Sequence, residues 1–525
     1  MTTLKSRIKL QNISKRFSDT SLTKKASLNA FAAALDYGAR LIVGFLLNPL
    51  LLAGLGSYLY GVWQILGRLI DYISAASGRP TQTLKMTIAS QQASADFDQK
   101  RRNVGSALIV WALFAPLLAA IGAVLAWFAP AWLGAPAQYT WIVRLTAGLL
   151  VADLIATNLV DVPESVLRGE NMGYKRMGMT TLLVFVQGAV IALALALGTG
   201  IVGVAVATLI DTLLTGLLFL AIVRSYVPWF GSARPSRGEV RVFFGLSAWF
   251  LIWRLVIQLI TASDVVVLGL LSSVEQVTSY TLTKYTPEAL ISLVAIVVGG
   301  VAPGLGGMLG AGNLHKAARV RGEIMAGTWL LATGAGVTIL LWNRSFVQLW
   351  VGHEYYVGVV PSLMIMLMMI QFVLIRNDAN IIDLTLNLRS KVLLGMLSAA
   401  ISLAGAGLLV RYFGLGITGL CLGLMLGRTV LSLGYPLIIG RHLGLAPAGQ
   451  LASAVRPGLA MALLFAAALA LQPMLATDSW LVLVAATGTT MLATSLLAFY
   501  GGLTAGQRAG IVRRVRAAIG SSTEG

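Results

Sequence analysis

The sequence predicts an all-α, polytopic membrane protein with about fourteen transmembrane helices. The 525 residues are 57% hydrophobic and 11% charged, and the mean hydropathy is +0.82. Soluble domains usually carry about 25% charged residues. Apolar runs long enough to cross a bilayer recur from Leu28 to Tyr500. The sequence lacks the alternating ten-residue pattern that is typical of membrane β-barrels.

The individual spans are placed by their runs of about twenty predominantly apolar residues. They begin near Leu28, Ser57, Asn103, Gln138, Met177, Gly200, Phe243, Gln276, Gly322, Val359, Lys391, Gly416, Ser453 and Ser479. Tryptophan residues such as Trp132 and Trp350 stand near the ends of spans, as expected for interfacial belts.

The distribution of basic residues predicts the orientation. Of the 39 lysines and arginines, about 30 lie in the two terminal segments and in the loops that follow even-numbered spans. The loops on the other side hold Arg344 and Arg411. By the positive-inside rule both termini are cytoplasmic. The net charge of +19 is then explained by topology and by contact with anionic lipids. Because this charge is scattered rather than gathered on one face, no nucleic-acid partner is predicted.

An internal duplication divides the chain. WLG at 132–134 recurs as WVG at 350–352, and GTGIVGVAVATL from Gly198 recurs as GLGITGLCLGLM from Gly414 at nearly the same offset. Tyr60 falls opposite Tyr280 in this scheme. Two copies of a six-helix unit insert with the same orientation, which is a transporter architecture. The predicted division is a basic cytoplasmic tail at 1–27, a first lobe at 28–227, a cytoplasmic linker at 228–242, a second lobe at 243–442, two further helices at 443–502 and a cytoplasmic tail at 503–525.

Ionised side chains occur within the predicted spans, where each costs at least about 2.5–3.5 kcal/mol. Asp36 and Arg40 lie on one face of the first helix, since they are four residues apart. The others are on the second helix of the first lobe and the first two helices of the second lobe: Arg68, Asp71, Arg254, Asp264, Lys284 and Glu288. They are either neutral pairs that lock helices together or the lining of a polar cavity. Their recurrence in repeat-equivalent helices favours the cavity.

Other charged residues in the spans have simpler interpretations. Arg144 is close to the outer surface and is expected to snorkel to the interface. Asp211 and Arg428, at nearly equivalent positions of the two lobes, are assigned to structural packing.

Two glycine-rich segments predict helix packing. GGVAPGLGGMLGAGNLHK at 299–316 lacks the GK[ST] ending of a nucleotide loop and does not follow a strand. Close helix approach or a hinge is favoured there, and GLCLGLMLG at 419–427 likewise predicts close helix approach.

The sequence indicates no enzyme. His315, His353 and His442 lie in separate loops without metal-ligand spacing, and neither a GxSxG nor a Walker motif occurs. Cys421 is the only cysteine, so an intramolecular disulfide is excluded. No catalytic residue, cofactor or metal is therefore predicted, and energy for any transport would come from ion gradients or from the gradient of the substrate.

Several segments resemble a known family. These are GLGSYLYGVWQIL after the first span, SVLRGENMGYKR after the fourth, DVVVLGLLSSVEQVTSYTLTKY over the seventh and eighth, and GIVGVAVATLIDTLL and GITGLCLGLMLGR at the sixth and twelfth. Over residues 28–442 the chain resembles bacterial polysaccharide flippases of the multidrug/oligosaccharidyl-lipid/polysaccharide (MOP) exporter superfamily.

The resemblance implies two lobes in a V-shaped, MATE-like arrangement, with a cationic central cavity that alternates between cytoplasmic and periplasmic openings. It implies substrate-binding roles, as an anion clamp, for Arg40, Arg68, Arg254 and Lys284, and roles as coupling groups or charge partners for Asp36, Asp71, Asp264 and Glu288. The implied function is export of polyprenyl-diphosphate-linked oligosaccharide across the bacterial inner membrane, for exopolysaccharide or O-antigen synthesis. The implied partners are that substrate, membrane lipids, a proton or sodium ion, and other polysaccharide assembly proteins.

Three alternatives are kept. The two additional helices also occur in the lipid II flippase branch, which moves a peptidoglycan precursor. A MATE-type, cation-coupled drug antiporter would favour acidic lobes with fewer arginines at the midplane. A polysaccharide polymerase or ligase would need a sizeable external loop with catalytic groups, and the external loops near 129–138 and 343–358 are short.

Overall fold

The computed structural model describes residues 2–75, 77–91, 94–172, 175, 178–261, 263–310, 312–384 and 388–520. Over these residues the chain is helical and contains no strand. The predicted all-α membrane fold is confirmed.

The chain divides into two compact units, Met1–Leu255 and Val256–Gly525, called unit 1 and unit 2 below. The helices of unit 1 are α1 (Thr2–Ala75), α2 (Pro80–Ser90), α3 (Phe97–Trp132), α4 (Thr140–Gly169), α5 (Met179–Ala196), α6 (Gly200–Tyr226) and most of α7 (Arg237–Thr261). The helices of unit 2 are α8 (Ser263–Leu271), α9 (Val274–Gly310), α10 (Leu314–Trp350), α11 (Val359–Leu384), α12 (Leu388–Arg411), α13 (Gly416–Leu443), α14 (Pro447–Leu471), α15 (Trp480–Leu497) and α16 (Ala505–Gly520). Arg254 belongs to unit 1 by this division; the limits predicted for the domains stay a prediction.

Within the described residues, 11 helices are long and apolar enough to cross a membrane, or up to 12 if one bent pair is a single span. That pair is Arg254–Ile260 with Ser263–Leu271, bent by 56°. The segment Leu35–Ala75 contains 41 residues, about twice the length that one span needs, and the first two predicted spans both lie on it. The predicted number of fourteen stays a prediction.

Helix α1 changes direction at Gly56. This residue has φ 74° and ψ 167°, which is outside the helical region and in a region that is open mainly to glycine. Gly56 therefore separates the first two predicted spans without a loop between them.

At one end of unit 1, a network of polar contacts fixes the segment that leads into α7. The Lys100 ammonium lies 2.8 Å from the Glu170 carboxylate, and Arg102 lies 2.9 Å from Glu239. A Cβ added to Gly105 would lie 2.1 Å from the Ala233 carbonyl oxygen, so only glycine allows this approach. The linker up to Glu239 is thus bound to the start of α3.

In unit 2, α12 and α13 cross at very close range. A Cβ on Gly423 would lie 2.2 Å from the Ala406 nitrogen, and one on Gly427 would lie 2.2 Å from the Ser402 hydroxyl. The close approach predicted for residues 419–427 is confirmed.

The two C-terminal spans pack on α10 of the same unit. The Trp342 indole N–H donates to the Thr490 hydroxyl over 3.1 Å, and Phe465 of α14 would be 2.6 Å from a Cβ on Gly336. Helices α14 and α15 are therefore integral parts of unit 2.

Candidate functional site

Asp36 and Arg40, the first predicted charged pair, have different neighbours in the structure. Asp36 on α1 accepts hydrogen bonds from the Thr180 and Thr181 hydroxyls, over 2.9 and 2.8 Å, at the start of α5. Arg40, one turn further along α1, is exposed. It is within electrostatic range of Asp211 on α6. The aspartate thus ties α1 to α5, while the guanidinium is accessible from outside unit 1.

A second pair lies further along α1. Arg68 is 3.7 Å from Asp71, and their side chains are 31% and 44% exposed. At this distance and exposure the contact is weak, typically worth about 1 kcal/mol or less. The Arg68 side chain is therefore partly exposed and only weakly bound to Asp71.

Between these two pairs, unit 1 contains a neutral polar contact. The hydroxyl of the buried Tyr60 donates to Asn48 Oδ1 over 2.9 Å, and Asn48 Nδ2 donates to the Gly44 carbonyl over 2.8 Å. This bond joins the two halves of α1 across the break at Gly56.

In the predicted repeat, the Tyr60–Asn48 bond of unit 1 corresponds to a contact of Tyr280 in unit 2, and this contact includes an ion pair. Asp264 on α8 is buried, and its Oδ2 lies 2.5 Å from the Lys284 ammonium of α9. The Tyr280 hydroxyl donates to the same oxygen over 2.7 Å, and Oδ1 accepts from the Val265 amide over 2.9 Å. Lys284 is 5% exposed and also lies 3.6 Å from Glu288, which is 49% exposed. The structure thus brings together three of the predicted site residues, namely Asp264, Lys284 and Glu288.

Arg428 on α13 stabilises the break between α7 and α8. Its guanidinium is buried and donates to the Ile260 carbonyl over 2.8 Å and, at 3.5 Å, to that of Met368. The carbonyl of Ile260 lies at the end of α7, where helical acceptors lack their usual partners. This placement agrees with a packing role for Arg428.

Helix α9 contains Pro287, which has no N–H to donate to the Thr283 carbonyl one turn earlier. Asn343 on α10 supplies the missing bond, since its Nδ2 donates to that carbonyl over 3.0 Å. The ion pair of Lys284 is therefore next to a helix turn in which the Asn343 side chain replaces a backbone hydrogen bond.

Arg254, the remaining predicted anion ligand, is half-buried on α7 in unit 1. It is within electrostatic range of Arg79, which precedes α2. Sequence reasoning missed Arg79. Its signal was its place between Gly78 and Pro80, a combination typical of a tight turn.

Unit 1 thus holds the three predicted arginines at least partly accessible, whereas unit 2 buries its lysine against a carboxylate. Exposed guanidinium groups can bind phosphate or carboxylate groups through two parallel hydrogen bonds. Among the described residues, no three or more His, Cys, Asp or Glu side chains are arranged to hold a metal ion.

Solved structures with a similar fold are transporters. A structure described as the inward-facing conformation of a multidrug resistance MATE family transporter of the MOP superfamily matches with a TM-score of 0.61 and 14% identity, over 78% of this chain and 94% of that one. A mutant of the Vibrio cholerae MATE transporter VcmN matches with a TM-score of 0.59 and 15% identity, over 83% of this chain and 100% of that one. A MOP superfamily transporter from Pyrococcus furiosus, described as having a binding pocket of reverse polarity, matches with a TM-score of 0.54 and 15% identity, over 80% of this chain and 96% of that one.

The fold and the spans together define a multi-pass helical membrane protein with the architecture of MATE transporters. No curated protein sequence matches the chain. The family model described as polysaccharide biosynthesis protein matches residues 28–303, more than half of the chain. The chain belongs to that family, which confirms the resemblance noted in the sequence.

Proposed function

We propose that this protein is a flippase, and not an enzyme, that moves polyprenyl-diphosphate-linked oligosaccharide across the bacterial inner membrane by alternating access. The saccharide serves exopolysaccharide or O-antigen synthesis, and both termini are cytoplasmic. The observation that carries the proposal is the accessibility of Arg40, Arg68 and Arg254 on unit 1 of a polysaccharide-family protein.

The physical need is a polar path for the head group. Transfer of an isolated charged group into hydrocarbon is prohibitive unless opposite charge and hydrogen bonds replace its water. Arginines within the spans supply both, and they are ionised at any physiological pH. The polyprenyl tail stays in the lipid.

The carboxylates have a different role in this proposal. Asp36 and Asp71 keep unit 1 from becoming too strongly cationic, and the Asp264–Lys284–Glu288 set is the candidate for coupling to a proton or sodium ion. Lys284 is predicted to reach substrate only when its contact with Asp264 is broken. Membrane lipids and other polysaccharide assembly proteins are the further expected partners.

The proposal is tested by the lipid-linked intermediate that accumulates. Removing the protein should leave a polyprenyl-diphosphate oligosaccharide on the cytoplasmic face, and Arg40→Ala should reproduce this while the protein still inserts. Arg144→Ala is the matched control, because Arg144 is an arginine of the same unit whose guanidinium instead stacks on Trp127 at 4.1 Å. Normal export in Arg40→Ala contradicts the proposal.

Two other transport functions remain as alternatives. Accumulation of lipid II in the same experiment would assign the chain to peptidoglycan precursor transport. A MATE-type drug antiporter is favoured by one observation, the carboxylates of unit 1 at Asp36, Asp153 and Asp211. Uptake of cationic dyes into vesicles that depends on Asp36 would support the antiporter.

A further inference from the structure

A strained residue precedes α2. Gly78 has φ 67° and Arg79 has φ 45° and ψ 51°, so both lie in the left-handed region. Residues with a Cβ rarely adopt this conformation, because the Cβ approaches the following carbonyl oxygen. In the described part of the chain, Asn171 is the other residue besides glycine with positive φ, and asparagine tolerates it far better than arginine. Strain of this kind is concentrated at functional sites.

The packing around this turn holds Arg79 in place. A Cβ on Gly78 would lie 2.5 Å from the Phe114 ring, so the turn is pressed against α3. The carbonyl of Arg79 accepts from the Gln82 and Thr83 amides, over 3.1 and 3.2 Å, and thereby begins α2. The position of the Arg79 backbone is therefore fixed by its neighbours.

Helix α2 then lies against the end of α4. A Cβ on Gly169 would be 2.7 Å from Ile88 and 3.1 Å from the Lys85 carbonyl oxygen. This contact brings Lys85 close to Arg168, which precedes Gly169 in the chain. Arg168 is held by Glu164 at 2.7 Å.

Arg79, Lys85, Arg168 and Arg254 form a chain of like charges, in which Arg79 is within electrostatic range of Arg254 and Lys85, and Lys85 is within range of Arg168. Burial lowers the pKa of Arg79, the positive charge of Arg254 lowers it further, and Asp161 raises it. Burial also lowers the pKa of Lys85, followed by the charge of Arg168, while Glu164 opposes the shift. Among the described residues that interact in this way, four cations are accompanied by two carboxylates, so that positive charge is in excess in a partly desolvated place.

We propose that Arg79, Lys85, Arg168 and Arg254 form a binding site for a phosphoanion, called the α2 basic site. Among the residues that the structure describes, neither Arg79 nor Lys85 forms an ion pair with a carboxylate within 4 Å. A ligand with two or more negative charges would relieve the repulsion and accept charge-assisted hydrogen bonds from the guanidinium groups.

The physiological ligand follows only if the proposed function holds. The basic-residue distribution places this loop at the cytoplasmic membrane surface, which is where the diphosphate of a lipid-linked substrate lies before translocation. The α2 basic site then receives the diphosphate first, and Arg40 binds it later in the cycle. Arg254 is the residue shared by both stages.

The binding test uses the purified full-length protein in detergent, with inorganic pyrophosphate and farnesyl diphosphate as probes in titration calorimetry. Arg79→Gln and Lys85→Gln should each weaken the binding of both probes about tenfold or more, since each removes a charge-assisted hydrogen-bond donor. Arg319→Gln, which removes an exposed basic residue from unit 2, should leave the affinities unchanged. Equal affinities in Arg79→Gln and Arg319→Gln overturn the site.

A second variant separates binding from folding. Arg79→Gly places glycine in the left-handed region, so the unfolding temperature should rise while the pyrophosphate affinity falls by a similar factor. A rise in stability with unchanged affinity would mean that Arg79 has only a structural role, and it overturns the proposal. A fall in stability would contradict the strain on which the argument depends.

Two further measurements identify the ligand and separate the α2 basic site from the proposed flippase function. Vesicles of phosphatidylglycerol should bind Arg79→Gln and wild type alike; a loss there as large as the loss for farnesyl diphosphate would show a general anionic-lipid site and overturn the diphosphate assignment. Weak pyrophosphate binding in Arg79→Gln together with normal export in Arg40→Ala supports the α2 basic site and contradicts the proposed function. The two failures are therefore distinguishable.

Discussion

In each unit a buried tyrosine donates a hydrogen bond to a polar side chain, which is neutral in unit 1 and charged in unit 2. In unit 1 the buried Tyr60 donates to the neutral amide oxygen of Asn48 over 2.9 Å. In unit 2 the buried Tyr280 donates over 2.7 Å to Asp264, which also binds Lys284. Each bond joins a polar residue of one predicted span to the start of the next.

The predicted site cations of the two units differ in exposure. Unit 2 buries Lys284 against a carboxylate, so its charge is compensated inside the unit. Unit 1 has an uncharged contact at the corresponding place and leaves Arg40 and Arg68 accessible. This difference supports the proposal that anion binding belongs mainly to unit 1.

The largest effect is expected from removing the carboxylate of unit 2. Asp264→Ala leaves the buried Lys284 ammonium with only its longer, 3.6 Å contact to the exposed Glu288 and should lower the free energy of unfolding by about 3–5 kcal/mol. Asn48→Ala, the matched change in unit 1, removes an amide oxygen that accepts from the neutral Tyr60 hydroxyl and should cost about 1–3 kcal/mol. Denaturation in detergent measures both.

A double variant tests whether the loss in Asp264→Ala comes from the buried charge. Asp264→Leu combined with Lys284→Met removes both charges and should recover most of the lost stability, since apolar replacements of buried ion pairs are often neutral. Equal losses in Asp264→Ala and Asn48→Ala would show that the two contacts do not differ in charge as described.

A smaller difference is expected for the tyrosines. Tyr280→Phe removes a hydrogen bond to an ionised group and should cost about 1.5–3 kcal/mol, whereas Tyr60→Phe removes one to a neutral group and should cost about 0.5–1.5 kcal/mol. The same unfolding experiment compares them. A larger loss of stability for Tyr60→Phe would contradict the description of Tyr280 as the tyrosine that is bonded to an ionised group.

The smallest effect concerns the linker of unit 1 and depends on pH. The Ser236 amide, which donates to Glu239 over 2.7 Å, is the main cause that lowers the pKa of that carboxyl from 4.5 to about 2, and Arg102 contributes. Because the folded pKa is the lower one, this stabilisation is complete above about pH 4.5 and is lost as pH falls towards 2.

Glu239→Gln removes the carboxyl group that titrates. Between pH 5 and pH 2.5, its unfolding temperature should fall by less than that of the wild type, with the two curves converging at the acid end. Parallel curves over this range would show that ionisation of Glu239 does not stabilise the folded protein.

The sequence predicted the helical class and the charged residues, because hydropathy and ionised side chains are properties of single residues and short windows. It also predicted the close helix approach at Gly423. The contact partners depend on tertiary structure: Asp36 is bonded by Thr180 and Thr181, which are distant in sequence. The accessible Arg40 and the buried Lys284 look alike in the sequence, since both are cations within apolar runs.

Arg79 was missed for a related reason. It lies in a loop with ordinary basic residues, and its distinguishing features are its left-handed backbone and its closeness to Arg254. The neighbouring Gly78 and Pro80 indicated a turn but not the charges that would meet there.

The proposed function requires that Arg40 of unit 1 is accessible to water at membrane depth, whereas Lys284 of unit 2 is buried. Arg40→Cys and Lys284→Cys, each in a Cys421→Ser background, can be labelled in membranes with a small hydrophilic maleimide. We expect Arg40→Cys to react quickly and to be protected by farnesyl diphosphate, and Lys284→Cys to react far more slowly. An inert Arg40→Cys from both sides of the membrane, or equal rates for the two, would contradict the account.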